Sequence, residues 1–70
     1  MTIILNSVDR IREFNSRIQN IKGDCDLRSG NYVVDAKSIM GIFGLDVSRP
    51  LELVVHDDST DLQDFKEYEI

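Results

Sequence analysis

An apolar stripe at helical spacing in the first third of the chain constrains the fold most. Its members recur at intervals of three or four residues: Val8, Ile11, Phe14, Ile18 and Ile21. Ser7 precedes the stripe as an N-cap and Gly23 is a natural stop, so the pattern predicts one amphipathic helix between them. The polar positions that we expect to stay solvated are Arg10, Arg12, Arg17 and Gln19. Such a helix needs an apolar surface to cover, and we expect that surface to be a sheet.

Four other segments carry strand patterns. The predicted strands are Thr2 to Leu5, a segment around Cys25 and Leu27, Tyr32 to Val34, and Leu51 to His56. In the second and fourth of these, apolar and polar residues alternate as in a half-buried strand. Ser29-Gly30-Asn31 stands between the second and third strands and supplies residues that tolerate positive φ, which predicts a tight hairpin.

Two short helices complete the predicted order. Ser38 is a candidate N-cap for a helix of barely two turns that Gly44 ends, and Asp58-Ser59-Thr60 is a candidate cap before a last helix. The last helix would carry Leu62, Phe65 and Tyr68. The order β-α-β-β-α-β-α predicts a single α+β domain over residues 1–70, an open-faced two-layer sandwich with a four-stranded antiparallel sheet and helices on one face.

Composition limits the possible partners. With 41% hydrophobic and 30% charged residues, the chain has the composition of a soluble globular protein, and no apolar run approaches the roughly 20 residues of a membrane span. The apolar start lacks a basic leader and is too short for a secretory signal, so we expect a cytoplasmic location. A net charge of −5 disfavours nucleic acid, whose binding requires clustered lysine and arginine.

The single cysteine and the single histidine offer little chemistry. Cys25 has no second thiol for a disulfide or a zinc cluster, and we expect it to be a small buried apolar residue. His56 ends the fourth predicted strand beside Asp57 and Asp58, which would repel an approaching phosphate. Because adjacent strand residues point to opposite sides of a sheet, those two aspartates do not predict a metal site. We expect neither a metal nor another cofactor.

The segment from Lys37 to Leu45, KSIMGIFGL, resembles the Lys-Ser-Ile-Met-Gly segment around the regulatory serine of HPr. HPr is the histidine-containing phosphocarrier of the bacterial sugar phosphotransferase system. The resemblance is strongest from Gly30 to Val55, and it implies the open-faced sandwich of that family, in agreement with the predicted element order. The first third of the chain matches only in its order of strand and helix.

The family's phosphohistidine motif is missing. In HPr a histidine in an Ile-His-Ala-Arg-Pro-Ala type motif carries the phosphoryl group, whereas an ungapped count from Lys37 places Ser7 at that position here. Asp9 would repel an incoming phosphoryl group. Arg10 and Arg12 could contact an anion, although arginines on a helix surface are usually solvated. We therefore expect no catalytic residue and no enzymatic activity.

The resemblance makes Ser38 a candidate for regulatory phosphorylation, since it matches the serine that an ATP-dependent kinase modifies in HPr of many Gram-positive bacteria. It also implies a contact surface of Ile39, Met40 and Phe43 for a kinase, a transcriptional regulator or a phosphotransferase enzyme, with Lys37 beside the phosphate. The simpler alternative is a plain N-cap serine.

We therefore expect an HPr-like regulatory or docking protein that lacks phosphohistidine transfer. One alternative is a phosphocarrier that uses a non-standard residue. The other is a purely structural interaction module, and the sequence leaves the oligomeric state open.

Overall fold

A computed structural model describes residues 1–57 and 62–70. The chain forms a four-stranded antiparallel sheet with helices, a mixed α+β fold. In order, the elements are β1 (Thr2–Ile3), α1 (Val8–Ile18), β2 (Cys25–Ser29), β3 (Tyr32–Asp35), α2 (Ile39–Phe43), β4 (Leu51–Val55) and a C-terminal 3₁₀ helix (Leu62–Tyr68). The strands lie in the order β1-β4-β2-β3. The candidate cap Asp58-Ser59-Thr60 lies outside the described residues.

Helix α1 begins where the sequence predicts and ends earlier. The Ser7 hydroxyl accepts the Arg10 N–H at 3.2 Å, as an N-cap does. After Ile18 the backbone tightens, because the Ile21 N–H donates to the Ile18 carbonyl at 3.1 Å. Ile21 therefore packs against the core from a turn and not from the helix, and Gly23, with φ +85°, follows that turn. At the other end Val8 is 52% exposed, so the core covers a shorter stripe than predicted.

The β2–β3 hairpin has the two-residue turn that its sequence predicts. Ser29 pairs with Tyr32, so Gly30 and Asn31 are the central residues. Gly30 has φ +58°, whereas Asn31 does not have a positive φ. This combination is the pattern of a type II′ turn, which fits the twist of the flanking strands.

Strand β1 is shorter than predicted, and the end of the chain also pairs beside it. Ile3 pairs with Leu51 of β4 on one side and forms an antiparallel bridge with Glu69 on the other. Ile4, predicted to lie in the strand, donates its N–H to the Tyr68 carbonyl at 2.8 Å. The C-terminal residues thus cover the outer edge of β1.

One apolar core lies between the sheet and the helices. Alternate strand residues contribute to it together with the inner faces of α1, α2 and the 3₁₀ helix. The fully buried members with the largest side chains are Tyr68, Phe14, Ile3, Leu5, Ile11, Ile18, Leu27, Ile42, Leu51 and Leu53. The intervening strand residues Thr2, Arg28 and Glu52 are exposed, an arrangement compatible with a sandwich.

Arg10 and Arg17, which the sequence predicts to be solvated, are half-buried, although 40% of the Arg17 side chain is exposed. Both guanidinium groups lie over the Tyr68 ring, 5.0 and 5.7 Å from its centroid. Arg10 also donates to the Ile4 carbonyl at 3.1 Å, and Arg17 forms an ion pair with Glu67. Half-burial of these side chains follows from the position of the 3₁₀ helix against α1, since their stems cover its aromatic residues. Arg12 is exposed, as predicted.

Candidate functional site

Ser38 lies at the surface, immediately before α2. Its backbone is extended, with φ −96° and ψ 106°, and its hydroxyl oxygen accepts the Gly41 N–H at 3.2 Å. The Ser38 N–H donates to the Asp35 carbonyl at 3.0 Å, which connects the helix start directly to the end of β3. Ser38 is therefore an N-cap, as its sequence context predicts, and its hydroxyl is accessible from solvent.

A close contact between α2 and β3 fixes the position of the serine. A Cβ atom on Gly41 would lie 3.3 Å from Cβ of Val34 and 3.4 Å from the Ser38 hydroxyl oxygen. A residue without a side chain thus allows the first turn of the helix to rest on the strand. Gly44 ends α2, as predicted, but with φ −79° and not in the left-handed conformation.

The short helix divides its apolar residues between the core and the surface. Ile42 is fully buried and Leu45, just beyond the helix, is buried as well. Met40 is 79% exposed and Phe43 is 46% exposed, whereas Ile39 is half-buried and packs against the core. Of the three residues predicted to form a contact surface, Met40 and Phe43 are the two that are exposed.

Lys37 contacts the region after α1. Its ammonium group donates to the Ile21 carbonyl, and its own carbonyl accepts from the side-chain amides of Asn15 and Gln19 at 3.1 and 2.8 Å. The sequence predicts instead that Lys37 lies beside a phosphate on Ser38. Sequence patterns alone did not indicate this link to α1, because it joins residues 16 to 22 positions apart.

Ser7, which the resemblance to HPr aligns with the phosphohistidine, has a structural contact. Ser7 caps α1, and its hydroxyl accepts from Arg10, whose guanidinium group is held by the carbonyls of Ile4 and Glu67. The suggestion that Arg10 contacts an anion therefore has to compete with these two acceptors. Arg12 lies on the exposed side of the same helix.

His56 follows β4 and pairs with a residue that the sequence did not single out. Its Nε2 lies 2.9 Å from Oδ2 of Asp26, while its backbone N–H donates to the Asp24 carbonyl at 3.0 Å. These residues line an open depression of about 470 Å³ together with Asp35. Alternation along β2 and β4 could have indicated the pair, because Asp26 and His56 both occupy positions that face away from the core.

No group of three potential metal ligands is found among residues 1–57 and 62–70. Asp58, one of the two aspartates considered beside His56, lies outside the described residues. Cys25 is buried, as predicted, and burial raises the pKa of its thiol. A buried neutral thiol is a packing residue and not a nucleophile.

Neither a protein-family model, nor a curated protein, nor a solved structure matches this chain. Within the described part of the chain, no helix has the length and apolar character needed to cross a membrane.

Proposed function

We propose that this chain is an HPr-like regulatory or docking protein that does not transfer phosphoryl groups and that phosphorylation of Ser38 switches it. The observation that carries the proposal is the exposed Ser38 hydroxyl next to two exposed apolar side chains, Met40 and Phe43. An accessible hydroxyl beside an apolar surface is what a kinase and a phosphorylation-dependent partner both require.

Two further features support the proposal. The order of strands and helices agrees with the open-faced sandwich that the resemblance implies, with a 3₁₀ helix in the last position. A phosphate on Ser38 would add about −1.5 to −2 charges at a position whose oxygen already accepts a backbone N–H, so it would be tolerated without unfolding. For Lys37 to contact that phosphate, its ammonium group would have to leave the Ile21 carbonyl.

A phosphocarrier that uses His56 is less favoured. The ring nitrogen Nε2 already lies at hydrogen-bond distance from a carboxylate, and a second carboxylate, that of Asp35, lines the same depression. A dianionic phosphoryl donor would approach this acidic surface against electrostatic repulsion.

Incubation with ATP and an HPr kinase tests the proposal. We expect one phosphate on the wild-type protein and none on Ser38→Asn, a variant that keeps a capping side chain but lacks the hydroxyl. The exposed Ser16 provides the control, and Ser16→Ala should gain as much phosphate as wild type. Equal labelling of Ser38→Asn and wild type, or no labelling of either, contradicts the proposal.

The apolar surface is tested by the same reaction. Phe43→Ala should raise KM for phosphorylation about tenfold, because an exposed aromatic side chain at a docking surface supplies contact area. Val8→Ala is the matched control, since Val8 is similarly exposed but lies on α1. In a separate reaction with phosphoenolpyruvate and enzyme I, acid-labile label that disappears in His56→Ala would favour the phosphocarrier alternative.

A further inference from the structure

The sheet has one covered edge and one open edge. Beside β1, the C-terminal residues bridge to Ile3, so that edge already has a partner. Strand β3 lies at the other end of the strand order, and among residues 1–57 and 62–70 it pairs with β2 on one side only. An open edge presents backbone groups that another strand can pair with.

The hydrogen-bond alternation identifies which groups point outward. Ser29 and Tyr32 close the two-residue hairpin as a hydrogen-bonded pair, and the Ala36 N–H donates to the Cys25 carbonyl at the far end of the ladder. In an antiparallel pair, every second residue exchanges bonds with its partner. Val33 falls at an alternate position, so both its N–H and its carbonyl face away from β2.

Apolar side chains cluster along this same edge. In the described part of the chain six large apolar residues are exposed, and four of them belong to β3 and α2: Tyr32, Val33, Met40 and Phe43. Tyr32 is 74% exposed and Val33 is 56% exposed. Helix α2 packs directly against β3, as the close approach of Gly41 to Val34 indicates, so these residues border one strand.

We propose that two copies of this chain associate through β3, which pairs antiparallel with β3 of the second copy about Val33 to give a continuous eight-stranded sheet. Because the described part of each copy has a single open edge, the same contact cannot be repeated, and the assembly closes as a symmetric dimer. The unpaired N–H and carbonyl of Val33 make the strand self-complementary, since each Val33 donates to and accepts from the other.

The position of the Asp35 carboxylates favours one register of the β3–β3 pair over another. Centring the pair on Val33 places Asp35 opposite Asn31 of the second copy and Tyr32 opposite Val34 of the second copy. The two Asp35 carboxylates are then four residues apart along the strands, and aromatic and β-branched side chains face one another, a favourable cross-strand pair. A shift that centres the pair on Val34 would bring the two carboxylates to diagonal positions and is disfavoured for that reason.

Sedimentation of wild type and two matched lysine variants over a range of concentrations tests the interface. Wild type should show a concentration-dependent dimer, and Val33→Lys should weaken dimerisation about tenfold or more, because the symmetric contact brings two ammonium groups together. Val8→Lys replaces an equally exposed valine on α1 and should dimerise like wild type. A strict monomer at all concentrations, or equal dimerisation of Val33→Lys and wild type, overturns the proposal.

Amide hydrogen exchange gives a second readout that does not depend on any variant. The Val33 N–H should exchange rapidly in dilute solution and slowly in concentrated solution, because only the dimer gives it an acceptor. The Val34 N–H, which pairs with β2, should be protected at both concentrations. Rapid exchange of Val33 at every concentration also overturns the proposal. Neither measurement requires phosphorylation, so the outcome is separate from that for Ser38.

Discussion

Two hydroxyl groups illustrate how far the environment decides what a residue can do. The Tyr68 hydroxyl donates to the Glu13 carboxylate at 2.7 Å, and its buried ring contacts two arginines and two phenylalanines. Ser38 caps a short helix at the surface. The first hydroxyl is therefore part of the packing, whereas the second is available for modification.

The titration of Tyr68 predicts a loss of stability at alkaline pH. Burial, followed by the hydrogen bond to Glu13, raises the pKa of this hydroxyl above its ordinary value. Above about pH 10 the unfolded chain loses the phenolic proton while the folded chain retains it, so the free energy of unfolding falls as pH rises further. Below that pH this contribution is fully present. Urea denaturation at pH values from about 8 to about 12, on either side of the ordinary tyrosine pKa, measures the fall.

Tyr68→Phe isolates the titrating group. This variant should lose about 1 kcal/mol near neutral pH through the missing hydrogen bond, and its stability should decline less steeply at high pH. Tyr32→Phe, at an exposed position, should follow the wild-type curve. If both variants decline in parallel with wild type, the environment of Tyr68 is not the cause.

The cap at Ser38 makes a separate prediction about stability. Ser38→Ala should lower the free energy of unfolding by about 1 kcal/mol, because the Gly41 N–H loses its acceptor. Ser38→Asp should restore most of that loss, since an aspartate side chain caps as well as serine does. Thermal unfolding monitored by circular dichroism gives both values. A Ser38→Ala protein as stable as wild type would mean that the hydroxyl is dispensable for the helix.

The features of helices and strands that depend on nearby residues could be predicted from the sequence. The N-caps at Ser7 and Ser38 and the turn at Gly30 each depend on residues within three positions of one another, and all three are confirmed. The order of elements is also confirmed, apart from the 3₁₀ character of the last helix. Periodicity and capping residues were sufficient because the interactions are local.

What the sequence missed is long-range. The bridge from Ile3 to Glu69 joins the two ends of the chain and lies beside the two-residue strand β1. The same packing draws Arg10 and Arg17 onto Tyr68. At the candidate site, Met40 and Phe43 are exposed, as expected for the predicted contact surface. The contact of Lys37 with Ile21 was not predicted, because it depends on how α1 ends.

Substitutions at Gly30 in the hairpin turn would measure the effect of backbone conformation alone. Gly30 has φ +58°, and no atom lies within 4 Å of the position that a Cβ would occupy. Gly30→Ala should therefore cost about 1 kcal/mol through conformational strain without any clash, and Gly30→Asn should cost less because asparagine tolerates this conformation. Urea denaturation of the two variants should rank them in that order. Equal stability of the alanine variant and wild type would contradict a left-handed Gly30.

At the scale of the whole molecule, the small size of the chain limits the stability of the fold. A domain of 70 residues has one thin core, and all the elements contribute to it. The β3 edge and the α2 surface carry the apolar residues that this core leaves exposed. The apolar residues of the chain thus fall into a buried group in the core and an exposed group on β3 and α2. Truncation should destabilise the fold much more in the first group than in the second.

Phe14 is the core residue whose truncation should destabilise the protein most clearly. It is fully buried, and its ring meets those of Phe65 and Tyr68 edge-on, with centroids 5.6 Å apart in both pairs. Phe14→Ala should cost about 3–5 kcal/mol through lost contacts and a cavity. A core of this size supplies only about 3–5 kcal/mol of net stability, so the variant should be largely unfolded at room temperature.

Two controls separate loss of the core from loss of any aromatic ring. Phe14→Leu keeps most of the volume and should remain folded with a reduced urea midpoint. Phe43→Ala removes a ring that is 46% exposed and should cost only about 1 kcal/mol, because nearly half of its surface stays in contact with water in the folded state. Circular dichroism and urea denaturation of the three variants decide the matter. A Phe14→Ala protein with a cooperative transition close to that of wild type would place the centre of the core elsewhere, whereas an unfolded Phe43→Ala would mean that the α2 surface is structural and not available to a partner.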